Sequence, residues 1–254
     1  MSLLKFFGID WRLGWTNIKG LLWFLGDRSR FIALTKQEGD IKSILWRPIL
    51  FDKSDKGGTM TGHYFHMDLL VSQLVFKNQP LKHVDVGSRV DGFVAHVAAF
   101  RPIEIFDIRP IESKVENIKF IQADFMVQDS KLANYADSIS CLHAIEHFGL
   151  GRYNDPIDVN GHKKGLENMY HVLQKGGKFY FATPMGPLRV EFNGHRVFSL
   201  RYLLDLFKEK YAIDSFSYVN DKGDLFKNTT LTKNEIENNF NCNYGCAIFE
   251  MTKL

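Results

Sequence analysis

From Phe76 onward, the hydrophobic pattern alternates short apolar runs with stretches in which apolar residues recur at helical spacing. The apolar runs cover residues 81–86, 103–106, 119–122, 138–142 and 178–182, and two more follow at 213–219 and 244–251. Apolar residues recur every three or four positions between Gly165 and Gln174, where Gly176 and Gly177 predict the end of a helix. Strands that alternate with helices are typical of a parallel sheet covered on both faces. The pattern predicts an α/β fold with a doubly wound, mostly parallel sheet of seven strands.

The first fifty residues differ from the rest of the chain in composition. They hold all four tryptophans, and eight Lys/Arg against four Asp/Glu. The apolar stretch 21–25 ends at Asp27 and is far shorter than the roughly 20 residues of a transmembrane helix, so we expect no transmembrane segment. A basic, tryptophan-bearing helix can also lie on a membrane surface, but a lid over the main domain is the favoured interpretation. We therefore predict a helical N-terminal extension over residues 1–61 and a main domain over residues 62–254.

Charge and cysteine content limit the classes of substrate and the cellular compartment that the sequence favours. The net charge is only +3, and no stripe of alternating aromatic and basic residues suggests a strand-binding groove, so a nucleic-acid substrate is disfavoured. Cys141, Cys242 and Cys246 are odd in number and lack paired spacing, which favours free thiols in a cytoplasmic protein. The sequence leaves the oligomeric state open.

The predicted first strand leads through Asp85 into a turn that begins at Gly87 and ends at Gly92. Two glycines are fewer than a dinucleotide fingerprint requires, and a tight strand-to-helix turn alone would explain them. An acidic residue ends each of the next two predicted strands, however. Asp107 lies about 20 residues further on, where a carboxylate can accept hydrogen bonds from ribose hydroxyls. Asp124 follows the third strand and could accept from an adenine amino group.

These segments, together with residues 142–147, resemble the successive motifs of class I methyltransferases over about residues 62–254. The resemblance implies a Rossmann-like fold and S-adenosylmethionine as cofactor. In that family the glycine turn approaches the methionine end, the second-strand acid holds the ribose and the third-strand acid holds adenine. Ser88 and Arg89 depart from the small residues usual there. The expected cofactor contacts are His63, Asp85, Gly87, Ser88, Asp107, Ile108, Asp124, Phe125 and Leu142.

Three further segments, residues 62–66, 149–156 and 192–198, resemble a bacterial family of methyltransferase-like proteins, DUF268. Proteins of this kind look associated with surface-polysaccharide synthesis. The resemblance implies a small-molecule acceptor: a sugar hydroxyl, carried by a nucleotide-linked sugar for capsule or lipopolysaccharide.

Residues 143–147 read H-x-x-E-H. The same form is a zinc-protease signature inside a helix, but here it straddles a strand end and a turn, which argues against a protease. The histidines could be structural or face the substrate without a metal. Alternatively, the segment resembles the metal motif of small-RNA 2′-O-methyltransferases, which implies His143, Glu146, His147 and the distant His195 as ligands. Three imidazoles and one carboxylate favour Fe(II) or Mn(II), and also suit Zn(II) or Co(II).

The predicted chemistry is O-methylation of a sugar. A metal-bound hydroxyl loses its proton more easily than a free one, and the expected catalytic groups are His143, Asp155 and His195. One alternative is a metal-independent enzyme with His143 as the base. An NAD-dependent oxidoreductase and a non-catalytic protein that binds S-adenosylmethionine or NAD are the remaining alternatives.

Overall fold

A computed structural model of the chain describes residues 10–38, 40 and 43–254. The chain divides into two compact units, one ending at Thr59 and the other beginning at Met60. In the first unit, helix α1 covers Trp11–Glu38, and Asp10 accepts hydrogen bonds from the first backbone N–H groups of the helix. A Cβ at Gly20 would lie 2.1 Å from the carbonyl oxygen of Leu50, so only glycine permits this close packing. Across the described ranges, no helix is long and apolar enough to span a membrane.

The second unit contains a central sheet, a small hairpin and five short-to-medium helices. The helices are α2 (His63–Asn78), α3 (Ala95–Ala98), α4 (Gly161–Val172), α5 (Leu200–Phe207) and α6 (Lys233–Asn238). The strands are β1 (His83–Val86), β2 (Ile103–Asp107), β3 (Ile118–Gln122), β4 (Ala136–Leu142), β5 (Leu173–Met185), β6 (Arg189–Glu191), β7 (His195–Val197), β8 (Tyr211–Val219), β9 (Leu225–Phe226) and β10 (Gly245–Lys253).

The sheet order is β3-β2-β1-β4-β5-β10-β8-β9, while β6 and β7 form the separate hairpin. Strands β1 to β5 are mutually parallel, and β10 inserts antiparallel between β5 and β8. The order reverses direction between β1 and β4, which opens a crevice at their carboxyl ends. The predicted α/β fold with a mostly parallel sheet is therefore confirmed, and the site is expected at this crevice.

Two details of the prediction are wrong. The sheet has eight strands, because the chain turns back after β8 and adds the two-residue strand β9 at the edge. The predicted helix ends earlier than the glycines suggested, at Val172, and β5 starts at Leu173. Gly176, with a φ of +76°, lies where the pairing of β4 with β5 shifts register, so this glycine serves a bulge in a strand and does not cap a helix.

Both faces of the sheet are covered by apolar side chains, as a doubly wound fold requires. On one face, Phe179, Phe181 and Phe249 pack against residues of α4 and α5. On the other, Val71 and Phe93, from α2 and from the turn before α3, cover Ile105 and Tyr180. Because both faces are buried, the polar side chains that could do chemistry are concentrated at the strand ends.

Candidate active site

A cavity of about 460 Å³ opens at the carboxyl ends of β1 to β4. This volume lies within the roughly 300–1,000 Å³ of small-molecule sites. Six of the nine predicted cofactor contacts line it: Gly87, Ser88, Asp107, Ile108, Asp124 and Phe125. His63, Asp85 and Leu142 are not part of its lining. The cavity is thus bounded by the turn after β1 and by the two acids that follow β2 and β3.

Gly87 is the residue at which the backbone turns from β1 toward the cavity. Its φ is +71°, and a Cβ there would lie 3.0 Å from the Cβ of Ala144. Its N–H donates to the carbonyl of Phe106 at 2.9 Å, which ties the turn to β2. Only glycine combines this positive φ with the close contact to Ala144, and the absence of a side chain lets a ligand approach the backbone closely.

Asp85 supports this turn from beneath. Its buried carboxylate accepts from the Ser88 N–H (3.0 Å) and hydroxyl (2.6 Å) and from the Ser140 hydroxyl (2.5 Å). Burial raises the pKa of Asp85 to about 6, although these hydrogen bonds oppose the shift. The Leu142 N–H also donates to the Ser88 hydroxyl, at 3.0 Å. Asp85 and Leu142 therefore hold Ser88 in place from outside the cavity.

The two strand-end acids stand on the cavity wall. Asp107 forms a bidentate ion pair with Arg109, with nitrogen–oxygen distances of 3.0 and 2.6 Å. Asp124 accepts from the Met126 N–H at 2.8 Å, which orients its carboxylate. Arg109 also lies 4.4 Å from the ring centre of Tyr153, so an aromatic ring and a cation border the Asp107 end of the cavity.

The H-x-x-E-H segment begins directly after β4 with a strained residue. His143 adopts a φ of +52°, which a non-glycine residue rarely takes, and such strain concentrates at functional sites. Its Nδ1 lies 3.0 Å from Oε1 of Glu146, and both side chains are almost completely buried. Burial opposes charge on both groups, but Cys246 and Glu146 raise the pKa of His143 well above its usual range. His143 in turn lowers the pKa of Glu146.

His147 lies one turn further along and has a defined tautomer. Its Nδ1 is 2.7 Å from the carbonyl oxygen of Gly194, so Nδ1 carries the proton and Nε2 bears the lone pair. Burial lowers the pKa of His147, against the opposing effect of Glu146. His147 lines the cavity, so a neutral imidazole borders the space available to a ligand.

His195 is held apart from this pair on β7. Its Nε2 lies 3.5 Å from Oε2 of Glu191, and its ring centre lies 6.5 Å from that of His147. The four predicted metal ligands therefore do not converge on one point. Glu146 instead directs its carboxylate at His143, in the manner of an orienting partner.

A different group of possible ligands converges beside the cavity. Within residues 10–38, 40 and 43–254, one set of three has all its ligand atoms within 4.8 Å of one another: His63, His143 and Cys246. His63 begins α2 and stacks on Tyr244 with ring centres 5.4 Å apart. Burial and the neighbouring His143 lower the pKa of His63 to about 4. His63, predicted to contact the cofactor, is thus placed against His143.

The loop between β4 and α4 is ordered by its own side chains. The carboxylate of Asp155 accepts from the N–H groups of Gly149, Gly151 and Tyr153. These bonds give this predicted base a structural role, although Asp155 does border the cavity. Buried Arg196 donates to the carbonyl oxygen of Phe148 at 2.6 Å and fastens the loop to β7.

Several residues at this site carry no clear sequence signal. Tyr64 and Arg89 line the cavity, with the guanidinium carbon 4.8 Å from the tyrosine ring centre. Cys246 lies on the antiparallel strand β10, about a hundred residues after His143. Tyr64 could have been found because it directly follows His63, whereas only the sheet order brings Cys246 to His143.

A family model described as "Caenorhabditis protein of unknown function, DUF268" matches residues 102–244. No curated protein matches the sequence. Among solved structures, 1,6-didemethyltoxoflavin-N1-methyltransferase of Burkholderia thailandensis, with bound 1,6-didemethyltoxoflavin and S-adenosylhomocysteine, is 12% identical with a TM-score of 0.52. That likeness covers 92% of this chain and 90% of the other.

Two more structures share the fold. The CurJ carbon methyltransferase is 9% identical with a TM-score of 0.51, and the match covers 73% of this chain and 54% of that one. This chain therefore spans about half the length of that structure. The [4+2]-cyclase SpnF is 12% identical, with a TM-score of 0.51 and coverage of 73% and 81%. These likenesses establish the fold, and the cyclase illustrates that the fold alone does not set the reaction.

Proposed function

This chain belongs to the DUF268 family, and we propose from its site that it is an S-adenosylmethionine-dependent O-methyltransferase acting on a sugar hydroxyl. The observation that carries the proposal is the cavity at the strand-order reversal, where the Gly87 turn, Asp107 and Asp124 stand beside the histidines that follow β4. Methyltransferases that share the fold support the same reaction class.

The residues present fit the cofactor. Gly87 leaves room for close approach, Asp107 offers acceptors for ribose hydroxyls, and Asp124 stands where an adenine amino group would donate. Phe125 and Ile108 supply the apolar wall that an adenine ring needs. When bound, S-adenosylmethionine supplies a methyl group on a positively charged sulfur. Because Arg109 now occupies both oxygens of Asp107, binding of the ribose there would require Arg109 to release or share the carboxylate.

A base must take the proton of the acceptor hydroxyl. His147 suits this role because its Nδ1 proton is donated to Gly194 and its Nε2 is free of a proton. His143 suits it less, because its Nδ1 is engaged by the Glu146 carboxylate at 3.0 Å and only 4% of its side chain is exposed. Asp155 is engaged by three N–H groups. We therefore assign proton removal to His147 Nε2.

The proposed acceptor is a sugar, most directly a nucleotide-linked sugar. Its support is the resemblance of the DUF268 segments to proteins associated with surface-polysaccharide synthesis. Tyr153 also lines the cavity, and the guanidinium groups of Arg109 and Arg152 lie 4.4 and 5.1 Å from its ring centre. Guanidinium groups bind phosphates well, which fits a diphosphate linkage close to this end of the cavity.

The test is incubation of the full chain with S-adenosylmethionine and a panel of nucleotide-linked sugars, read by mass spectrometry. The proposal expects one panel member to gain the mass of one methyl group, with stoichiometric S-adenosylhomocysteine. Methylation of an amine or carbon acceptor alone would refute the O-methyl assignment. Binding of NAD in place of S-adenosylhomocysteine would instead favour an oxidoreductase.

A further inference from the structure

We propose that His63, His143 and Cys246 together bind one divalent transition metal ion at the edge of the cavity. This ligand set shares only His143 with the set that the sequence predicts. The site is assembled by three separate elements: the first residue of α2, the residue after β4 and the second residue of β10. Metal binding does not require the proposed methyl transfer.

The convergence of the three side chains is the first support. Their ligand atoms all lie within 4.8 Å of one another. His143 is enclosed, with 4% of its side chain exposed, and its Nε2 has no hydrogen-bond partner in the part of the chain that the structure describes. The neighbouring Cys246 thiol interacts with this imidazole but is only a weak hydrogen-bond partner. A metal ion bound at Nε2 and at Sγ of Cys246 would satisfy both groups.

Glu146 provides the second support. Its carboxylate is buried, lies 3.0 Å from Nδ1 of His143 and accepts from the Thr183 hydroxyl at 3.4 Å. Metal-bound histidines regularly donate their other ring N–H to a carboxylate, which fixes the tautomer and raises the basicity of the ligand. Glu146 therefore engages Nδ1 of His143 and leaves Nε2 as the nitrogen available to a metal ion.

The ligand set indicates the class of metal. One thiolate and two imidazoles are borderline-soft donors that suit zinc, with Co(II) and Fe(II) as substitutes, and do not suit magnesium or calcium. Three protein ligands leave one tetrahedral position open, as in catalytic zinc sites. Because His143 lines the cavity, that position would serve an acceptor oxygen, and this last step alone rests on the proposed methyl transfer.

Two of these ligands have a competing interpretation together with Glu146, as a metal-free Cys246–His143–Glu146 relay with a nucleophilic thiol. A nucleophile must reach its substrate, but Cys246 is completely buried and does not line the cavity. A thiolate bound to an enclosed metal needs no such access. The observations therefore favour the metal.

The experiment loads the full chain, purified without a chelator or a metal-affinity tag, with zinc or Co(II), and then removes unbound metal by gel filtration. We expect about one zinc per chain, and a Co(II) spectrum with thiolate charge-transfer absorption. Cys246→Ser should abolish that absorption, and His63→Gln should lower metal content at least tenfold. Cys242→Ser is the matched control, because Cys242 is also buried but lies outside the cluster.

A wild-type chain that retains no zinc, or one whose metal content survives both ligand substitutions, overturns the proposal. If the variants fail to fold, X-ray absorption spectroscopy of the zinc-loaded wild-type chain decides the matter. One sulfur and two imidazole nitrogens should surround the zinc, and a coordination shell without sulfur refutes the site. Calorimetry with S-adenosylhomocysteine on the same samples separates failure of the metal site from failure of the proposed function.

Discussion

The turn at Gly87 offers the sharpest prediction, Gly87→Ala. A left-handed backbone costs an L-residue about 1–2 kcal/mol, and the φ of +71° at Gly87 imposes that cost. The new Cβ would also lie 3.0 Å from the Cβ of Ala144, closer than ordinary carbon contacts. Overpacking of this kind costs about 1–3 kcal/mol more. The total is about 2–5 kcal/mol of unfolding free energy.

Gly176→Ala is the matched control. Gly176 has nearly the same φ, +76°, but a Cβ there meets nothing within 4 Å, and the residue lies outside the cavity. It should therefore lose only about 1–2 kcal/mol. Urea unfolding followed by circular dichroism resolves the difference between the two variants.

The affinity for S-adenosylhomocysteine should also differ between the two variants. Because Ala144 lines the cavity, the shift that Gly87→Ala forces on it deforms the proposed cofactor site. We expect affinity for S-adenosylhomocysteine to fall at least tenfold, about 1.4 kcal/mol, and to be unchanged in Gly176→Ala. Adding Ala144→Gly should restore part of the loss. Equal stability and equal affinity in the Gly87 and Gly176 variants would refute the reasoning.

Three further predictions concern single side chains. Asp107→Ala removes the ion-pair partner of Arg109 and the proposed acceptor of the ribose hydroxyls. Calorimetry should show a loss of about 1.5–3 kcal/mol in the binding free energy of S-adenosylhomocysteine. Asp205→Ala is the control, because Asp205 is exposed. Burial lowers the pKa of His83 to about 3. In the unfolded chain His83 binds a proton below about pH 6.5, whereas in the folded chain it stays neutral down to about pH 3. The free energy of unfolding therefore falls as the pH is lowered from 6.5 toward 3. The loss is about 1.6 kcal/mol between pH 6.5 and 5. His83→Gln should flatten the dependence of urea-unfolding stability on pH, and an unchanged slope contradicts the assignment. His147→Ala should lower kcat by roughly 10²–10⁴-fold with S-adenosylhomocysteine affinity unchanged, and a loss confined to affinity would argue against a base.

The fold and the cofactor edge were predictable because their signals are local. Apolar runs marked β1 to β5, and those of β1 to β4 lead into residues that line the cavity, such as Gly87 and Asp107. The strand β9 was missed because two residues at a sheet edge leave no pattern. Gly176 was misassigned because a bulge and a helix end make the same demand for a positive φ.

The proposed ligand set could not be assigned from spacing alone. Spacing groups His143, Glu146 and His147, and Oε1 of Glu146 does lie 3.0 Å from Nδ1 of His143 and 4.0 Å from Nε2 of His147. Glu146 orients His143, however, and Nδ1 of His147 is bound to Gly194. The position of Cys246 depends on β10 lying antiparallel to β5, a long-range pairing that no local motif records. Side-chain direction and sheet order, which sequence spacing does not carry, decide this part of the site.

Isothermal titration calorimetry of the full chain with S-adenosylhomocysteine tests the central claim most directly. We expect saturable binding at one site per chain, weakened at least tenfold by Gly87→Ala and unaffected by Gly176→Ala. Absence of binding in the folded wild-type chain, or binding that Gly87→Ala leaves intact, would contradict it.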